Sequence, residues 1–201
     1  MKYFDTLPKV IITDTNLVSS IATDIMRRVS IIPELFNNPA LYYLYDIQEG
    51  DTPEIVADKY YGDSYRYWIV LLMNQSRDPQ WDWPMTVRIF EKYIENKYPG
   101  TIQTRIHHYE KIITTKDSES NEVSQQTVNL GRDVGVYNGI QTSTKTLDIP
   151  NGTQVTIDIS KRAVTNYQYE AELNDSRRKI KLLNSKYVNQ IENELNSLMG
   201  K

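Results

Sequence analysis

His107 and His108 are the only imidazoles in this 201-residue chain, and no cysteine accompanies them. They stand side by side in "TIQTRIHHYEKIITT", whose alternation of apolar and polar residues predicts a strand. Adjacent strand residues point to opposite faces, so the pair is not expected to share a metal ion. Asp51, Asp58 and Asp63 are close enough in sequence to suggest paired acid and base carboxylates, but they fall in or near turns. There a carboxylate normally caps backbone N–H groups, and capping is the expectation. The chain contains no G-x-x-x-x-G-K, H-E-x-x-H or G-x-S-x-G, so nucleotide, zinc-protease and hydrolase-elbow chemistries lack their minimum parts. No catalytic residue, metal or cofactor is expected.

Binding is better provided for. Arg177, Arg178, Lys179 and Lys181 form the one dense basic cluster, which suits phosphate, an acidic partner surface, or simply a solvated edge. Trp68, Trp81 and Trp83 have the flat apolar rings that stack on sugars. Trp68 shares a helical face with Leu72 and reads as core. Trp81 and Trp83 alternate around Asp82 before Pro84, so one can pack inward while the other meets a partner or ligand. Fifteen tyrosines against three phenylalanines suit surfaces that end half buried against a partner, or an ordinary core with wet edges.

Composition narrows the partners. A formal charge of −3 and a pI near 5.5 remove the broad cationic field of nucleic-acid binding. Without cysteine there is no disulfide framework, which fits a reducing cytosol or an assembly built there. The start "MKYFDTLPKVIITD" offers neither an export signal nor a membrane span, so no membrane association is expected.

The elements that must position these residues follow from local patterns. In "TDTNLVSSIATDIMRRVSII" the residues Leu17, Ile21, Ile25 and Val29 recur every four and predict an amphipathic helix, capped by Asp14 or Thr15 and ending near Arg27 and Arg28. "LYYLYDIQ" predicts a strand stopped by "EGD". Thr52 and Pro53 open a helix that Gly62 closes, and Asp63 or Ser64 starts another that runs to Asn74. "TVRIFEKYIENKYPG" predicts a further helix. Residues 101–162 read as a β region, with Asn151-Gly152 as a hairpin turn and "TKDSESNE" and "GRDVGVYNG" as loops. At the carboxyl end Lys179 to Leu182 suits a strand, and Tyr187, Ile191, Leu195 and Leu198 step at helical intervals. One longer helix from Tyr167 is the alternative. The aliphatic stripes at the two ends each suit a helix-in-groove contact with a partner, or packing on the chain's own body.

The stretch "YDIQEGDTPEIVADKYYGD", followed by Trp68 and Asn74, resembles the LysM motif, with Gly50, Asp51, Thr52, Tyr60 and Gly62 at its positions. That resemblance implies a strand-helix-helix-strand fold and an N-acetylglucosamine polymer held between the loops Gly50 to Pro53 and Asn74 to Pro79. The chain departs from the motif after Asp78-Pro79, where "QWDWPMT" stands in place of the second strand. Pro99-Gly100 before "TIQTRI" is the candidate entry to a displaced one.

Together with "DPQWDWP" and the tail "YEAELNDSRRKIKLLNSKYVNQIENELNSLM", the module resembles the baseplate wedge protein family, the fifty-third gene product, of T-even-like contractile-tailed bacteriophages. What the resemblance implies is a non-enzymatic virion component that joins wedge subunits and links neighbouring wedges, assembled in the host cytoplasm, with other baseplate wedge proteins as partners. Nucleic acid, membrane and peptidoglycan are not expected partners. The fold class expected is α+β, in four parts: an N-terminal tether and amphipathic helix (1–40), the LysM-like module with its following helix (41–100), a β-rich region (101–165), and a C-terminal strand and helix (166–201). The alternative function is a peptidoglycan-binding module of a tail or wall-associated complex.

Overall fold

The computed structural model describes residues 2–15, 18–118, 123–148 and 154–200. In chain order its elements are β1 (Lys9–Thr13), β2 (Ser19–Thr23), β3 (Tyr42–Asp46), α1 (Pro53–Tyr61), α2 (Tyr67–Met73), α3 (Pro79–Asp82), α4 (Val87–Lys97), β4 (Ile106–Asp117), β5 (Val123–Asn129), α5 (Val134–Gly139), β6 (Ser143–Asp148), β7 (Gln154–Thr165), α6 (Asn166–Ser176), β8 (Lys179–Leu183) and α7 (Val188–Met199). The fold is mixed α+β, as expected, with small antiparallel sheets β1-β2, β3-β8 and β5-β4-β7-β6. The chain divides into two compact units, Met1–Thr86 with Asp175–Lys201, and Val87–Asn174.

The first unit is built around β3 and β8, which pair from Tyr42 opposite Leu183 to Asp46 opposite Lys179. Gly50, at φ +85°, turns the chain out of β3, a backbone state that only glycine adopts without strain. Thr52 caps α1 by accepting from the Ile55 N–H, Pro53 occupies the first turn where its missing N–H costs nothing, and Gly62 ends the helix in the left-handed region. The Asp63 carboxylate accepts from the Tyr65 N–H and starts a single 3-10 turn that runs into α2. Ile69, Val70 and Met73 of α2 are buried with Leu182 of β8 and Val56 of α1. Each such side chain removed from water contributes about 1.5–3 kcal/mol.

The Asn74 side chain ties α2 to β8. Its Nδ2 donates to the Lys181 carbonyl and its Oδ1 accepts from the Lys181 N–H, both at 2.8 Å. The strand paired with β3 is therefore β8, and Pro99-Gly100 does not introduce it. Those residues lead into a 3-10 turn at Gly100–Thr104 and then β4, which belongs to another sheet.

Among the described residues the amino-terminal helix expected over 17–29 does not form. Ser19–Thr23 pairs with Lys9–Thr13 as a hairpin, Thr13 opposite Ser19. Asp14 closes it by accepting from the Val18 N–H at 3.0 Å. Ser19, Ser20 and Thr23 are weak helix formers, and the strand-favouring run Val10 to Ile12 supplies a partner at hairpin distance, so pairing overrides the four-residue spacing. Ile21 lies 76% exposed on β2 and Ile25 in an exposed turn, while Leu17 lies outside the described residues.

The second unit carries the four-stranded sheet with α4, α5 and α6. Phe90 and Ile94 of α4 are buried, and the Phe90 and Tyr167 rings meet edge to face at 5.7 Å. Glu170 of α6, buried, accepts from the Tyr93 and Tyr98 hydroxyls and from Lys97 Nζ. The expected loop "GRDVGVYNG" contains α5, because the Asp133 carboxylate accepts from the Val136 N–H and caps it. The expected turn at Asn151-Gly152 lies outside the described residues.

Candidate functional site

Helix α7 begins after Asn184, whose side chain accepts from the Lys186 N–H, and ends at Gly200 in the left-handed region. An ion pair between Arg66 and Glu192, 3.0 Å at its closest, fastens it beside α1 and α2. Its spacing presents a stripe, with Leu195 buried inward and Leu198 63% exposed outward. The stripe forms one wall of an apolar groove of about 480 Å³. The other walls come from α2, from Leu183 of β8, and from the chain between Val29 and Ile32.

Five of the sequence-predicted partner-binding residues, Val29, Tyr187, Ile191, Leu195 and Leu198, thus line a single groove. Ile21 and Ile25 do not join them, because the segment that carries them folds as the hairpin and its following turn. Leu72, Met73 and Leu183 were not foreseen as lining. They come from elements read as core, and the signal for the adjacent wall was the short apolar run Val29 to Ile32. Trp68, at the groove and otherwise buried, has an indole N–H with no hydrogen-bond partner among the described residues. A buried donor without an acceptor costs about 1–3 kcal/mol, so the apolar wall contains one unmet polar demand.

The two turns expected to flank a sugar are braced by the protein's own side chains. Asp51, buried, accepts from the Tyr45 hydroxyl at 2.7 Å, the Gln48 N–H at 3.1 Å and Lys59 Nζ. Burial opposes its ionisation, but these hydrogen bonds outweigh burial and hold its carboxyl below the usual range. The same hydrogen bond, with burial and the Asp51 charge behind it, pushes the Tyr45 hydroxyl up to about 12. Trp83 packs half-buried against the core, and its indole N–H donates to the Asp51 carbonyl at 2.8 Å. Asp82 accepts from the Arg77 and Asp78 N–H groups and closes the opposite turn. Trp81 is 49% exposed.

Two of the three carboxylates read as caps behave as such: Asp63 caps a turn and Asp51 braces one. The basic cluster straddles the start of β8, with Arg177 and Arg178 before it and Lys179 and Lys181 within it. Arg178 meets Asp175 and the Ile47 carbonyl, and Lys181 Nζ reaches the Phe36 carbonyl.

The histidines differ from expectation. A register shift between Ile106 and His108 breaks the strict alternation of β4, and the two rings come together with their Nδ1 atoms 2.9 Å apart. His108 Nε2 lies 2.9 Å from Glu110, which also accepts from Arg162, and His107 stacks on Tyr169 at 4.0 Å. Among the described residues no group of three or more histidine or acidic side chains is placed to hold a metal ion, and no helix is long and apolar enough to cross a membrane.

What the first unit offers is an apolar groove with an adjoining exposed aliphatic stripe, a binding geometry. No curated protein matches the chain. The family model for base plate wedge protein 53 matches residues 4–198, nearly the full length, and this chain therefore belongs to that phage family of structural proteins of the tail baseplate wedge.

Proposed function

We propose that the protein is a non-enzymatic joint of the baseplate wedge, which receives an apolar segment of another wedge protein in the groove between α2, α7 and residues 29–32 and so links subunits, and through them neighbouring wedges, during assembly in the host cytoplasm. The observation that carries this is the convergence of Val29, Tyr187, Ile191, Leu195 and Leu198 on one groove of about 480 Å³ in a chain of a wedge family. A short apolar helix or strand buries enough surface in such a space to be held.

A LysM-like origin accounts for the order β3, α1, α2, β8 and for Asn74 at the junction. In this reading the fold is kept as a platform while its ligand edge is closed, since Trp83 occupies the turn that a sugar ring would need.

The test is co-expression of the full chain, and of its Leu198→Asp variant, with the other wedge proteins of its source, followed by size exclusion and by pull-down on peptidoglycan. The expected result is co-elution of the wild type with a wedge protein, loss of it at least about tenfold in the variant, and no retention on the polymer. Unchanged co-elution of the variant, or saturable retention on peptidoglycan, overturns the reading.

A further inference from the structure

The sheet of the second unit has two unlike faces. Cross-strand register puts Ile113, Ile159, Gln126 and Ser143 in one row, Thr115, Ile157 and Lys145 in the next, and Asp117, Val155 and Leu147 beyond, all on the face shared with Tyr109. The opposite face carries Ile112 and Ser160 in one row, Thr114, Asp158 and Thr144 in the next, and Lys116, Val123, Thr156 and Thr146 beyond, with Thr144 donating to Asp158 at 2.6 Å. The first face thus holds most of the sheet's aliphatic side chains, and the second is mainly polar, as in an ordinary solvated sheet.

At its Tyr109 end the aliphatic face is covered by α5, where the Tyr109 and Tyr137 rings stack at 4.3 Å. Further out, residues 111–115 of β4 and 155–161 of β7 are half-buried on both faces alike, which is the pattern of a sheet with no layer of this unit's described residues upon it. An antiparallel sheet with one apolar face normally buries that face.

Charge identifies what fits there. Lys111 and Lys161 border the aliphatic rows on one side and Lys145 lies among them, against the single carboxylate of Asp117 at the far end. This face is cationic in a chain whose formal charge is −3. Two copies of it brought together would oppose lysine to lysine, so self-pairing is disfavoured and an acidic partner is favoured. We infer that the outer half of this sheet docks an aliphatic segment flanked by carboxylates, carried by a different protein of the same baseplate. The inference uses the wedge reading only for the source of the partner and is separate from the groove.

The experiment places the photo-crosslinker p-benzoylphenylalanine at Ile157, and in a second variant at Leu147, in the full-length chain incorporated into baseplates, and identifies the joined peptides by mass spectrometry. Expected is a peptide of another baseplate protein with aliphatic residues and Asp or Glu beside the cross-link. Expected also is a drop of at least about tenfold in that cross-link when Lys111→Glu and Lys145→Glu are combined, with an unchanged thermal transition. A cross-link to a second copy of this chain, none from either position, or indifference to the charge reversal overturns it. In the Leu198→Asp background the cross-link should persist in whatever baseplates form, which keeps failure of the groove distinct from failure of the sheet.

Discussion

Asn74 and Lys181 are joined by two hydrogen bonds of 2.8 Å, one donated by the Asn74 side chain and one accepted by it, and through them the end of α2 holds the strand β8. Asn74 Nδ2 also reaches the Val70 carbonyl at 2.8 Å, so one amide serves helix end and strand together. Aspartate, which lacks the donor, and alanine, which lacks both groups, should each destabilise the first unit. The expected loss is about 2–4 kcal/mol for Asn74→Ala, the sum of its hydrogen bonds and the unmet backbone groups left behind. Urea unfolding followed by tryptophan fluorescence measures it, and a loss below 0.5 kcal/mol, the range of ordinary surface changes, contradicts the assignment.

Trp83 should matter in two separable ways. Trp83→Phe keeps most of the apolar contact and removes the hydrogen bond to the Asp51 carbonyl, so a loss of about 1 kcal/mol is expected. Trp83→Ala opens the turn as well and should cost about 3 kcal/mol or more. Titration of the folded Trp83→Ala protein with chito-oligosaccharide is expected to show no binding. Binding by the wild type would revive the sugar reading.

Glu170 gathers two tyrosine hydroxyls and an ammonium between α4 and α6. Burial works against the Lys97 charge, but the hydrogen bond to Glu170, then that to Tyr93, outweighs it and raises the ammonium well above its ordinary value. Lys97 is partly exposed, so water recovers much of its charge when the partner is lost, and the tyrosines suffer more. Glu170→Ala should destabilise the second unit by about 2–3 kcal/mol, and Glu170→Gln by less, because its amide oxygen still accepts. Hydrogen exchange of α4 and α6 amides reports whether the loss is confined to this unit.

Acid should loosen the second unit. His107 is held below the ordinary imidazole range, first by burial and then by His108 and Arg132. Its neutral form is therefore favoured on folding, and the stability it contributes is full above about pH 6.5, where the unfolded imidazole titrates, and is lost as pH falls through the folded value. Geometry agrees, since the contact between the two Nδ1 atoms needs a proton on only one of them. Urea midpoints at pH 7.5 and 5.5 should converge in His107→Gln relative to the wild type. An equal pH dependence in both would remove His107 from the account. Asp51 acts lower: hydrogen-bonded as a carboxylate, it supports folding above about pH 4 and loses that effect as pH falls through its depressed value.

The α1-α2 pair was legible because its signals are local. Thr52, Pro53 and Gly62 mark α1 within about ten residues, and Asp63 starts the next turn, since a cap satisfies backbone groups only a few positions away. The hairpin β1-β2 was misread because Ile21, Ile25 and Val29 recur at helical spacing while the residues between them favour extension, and only the nearby strand decides between the two. The histidine contact was unreadable for a similar reason, as a bulge is one residue out of register with a partner strand more than fifty positions away.

By itself the sequence determined an α+β chain without cysteine, the helix ends and turns around Gly50 to Asn74, the stripe of α7, and the resemblance that the family match bears out. Only the tertiary structure decided that β8 completes the sheet begun by β3, that Trp83 rests on Asp51, and that Val29 lies in the same groove as Ile191. Caps, glycine turns and apolar spacing act over one or two turns of chain. Strand pairing and groove formation depend on which distant segments bury each other's surface, a competition settled by the whole fold.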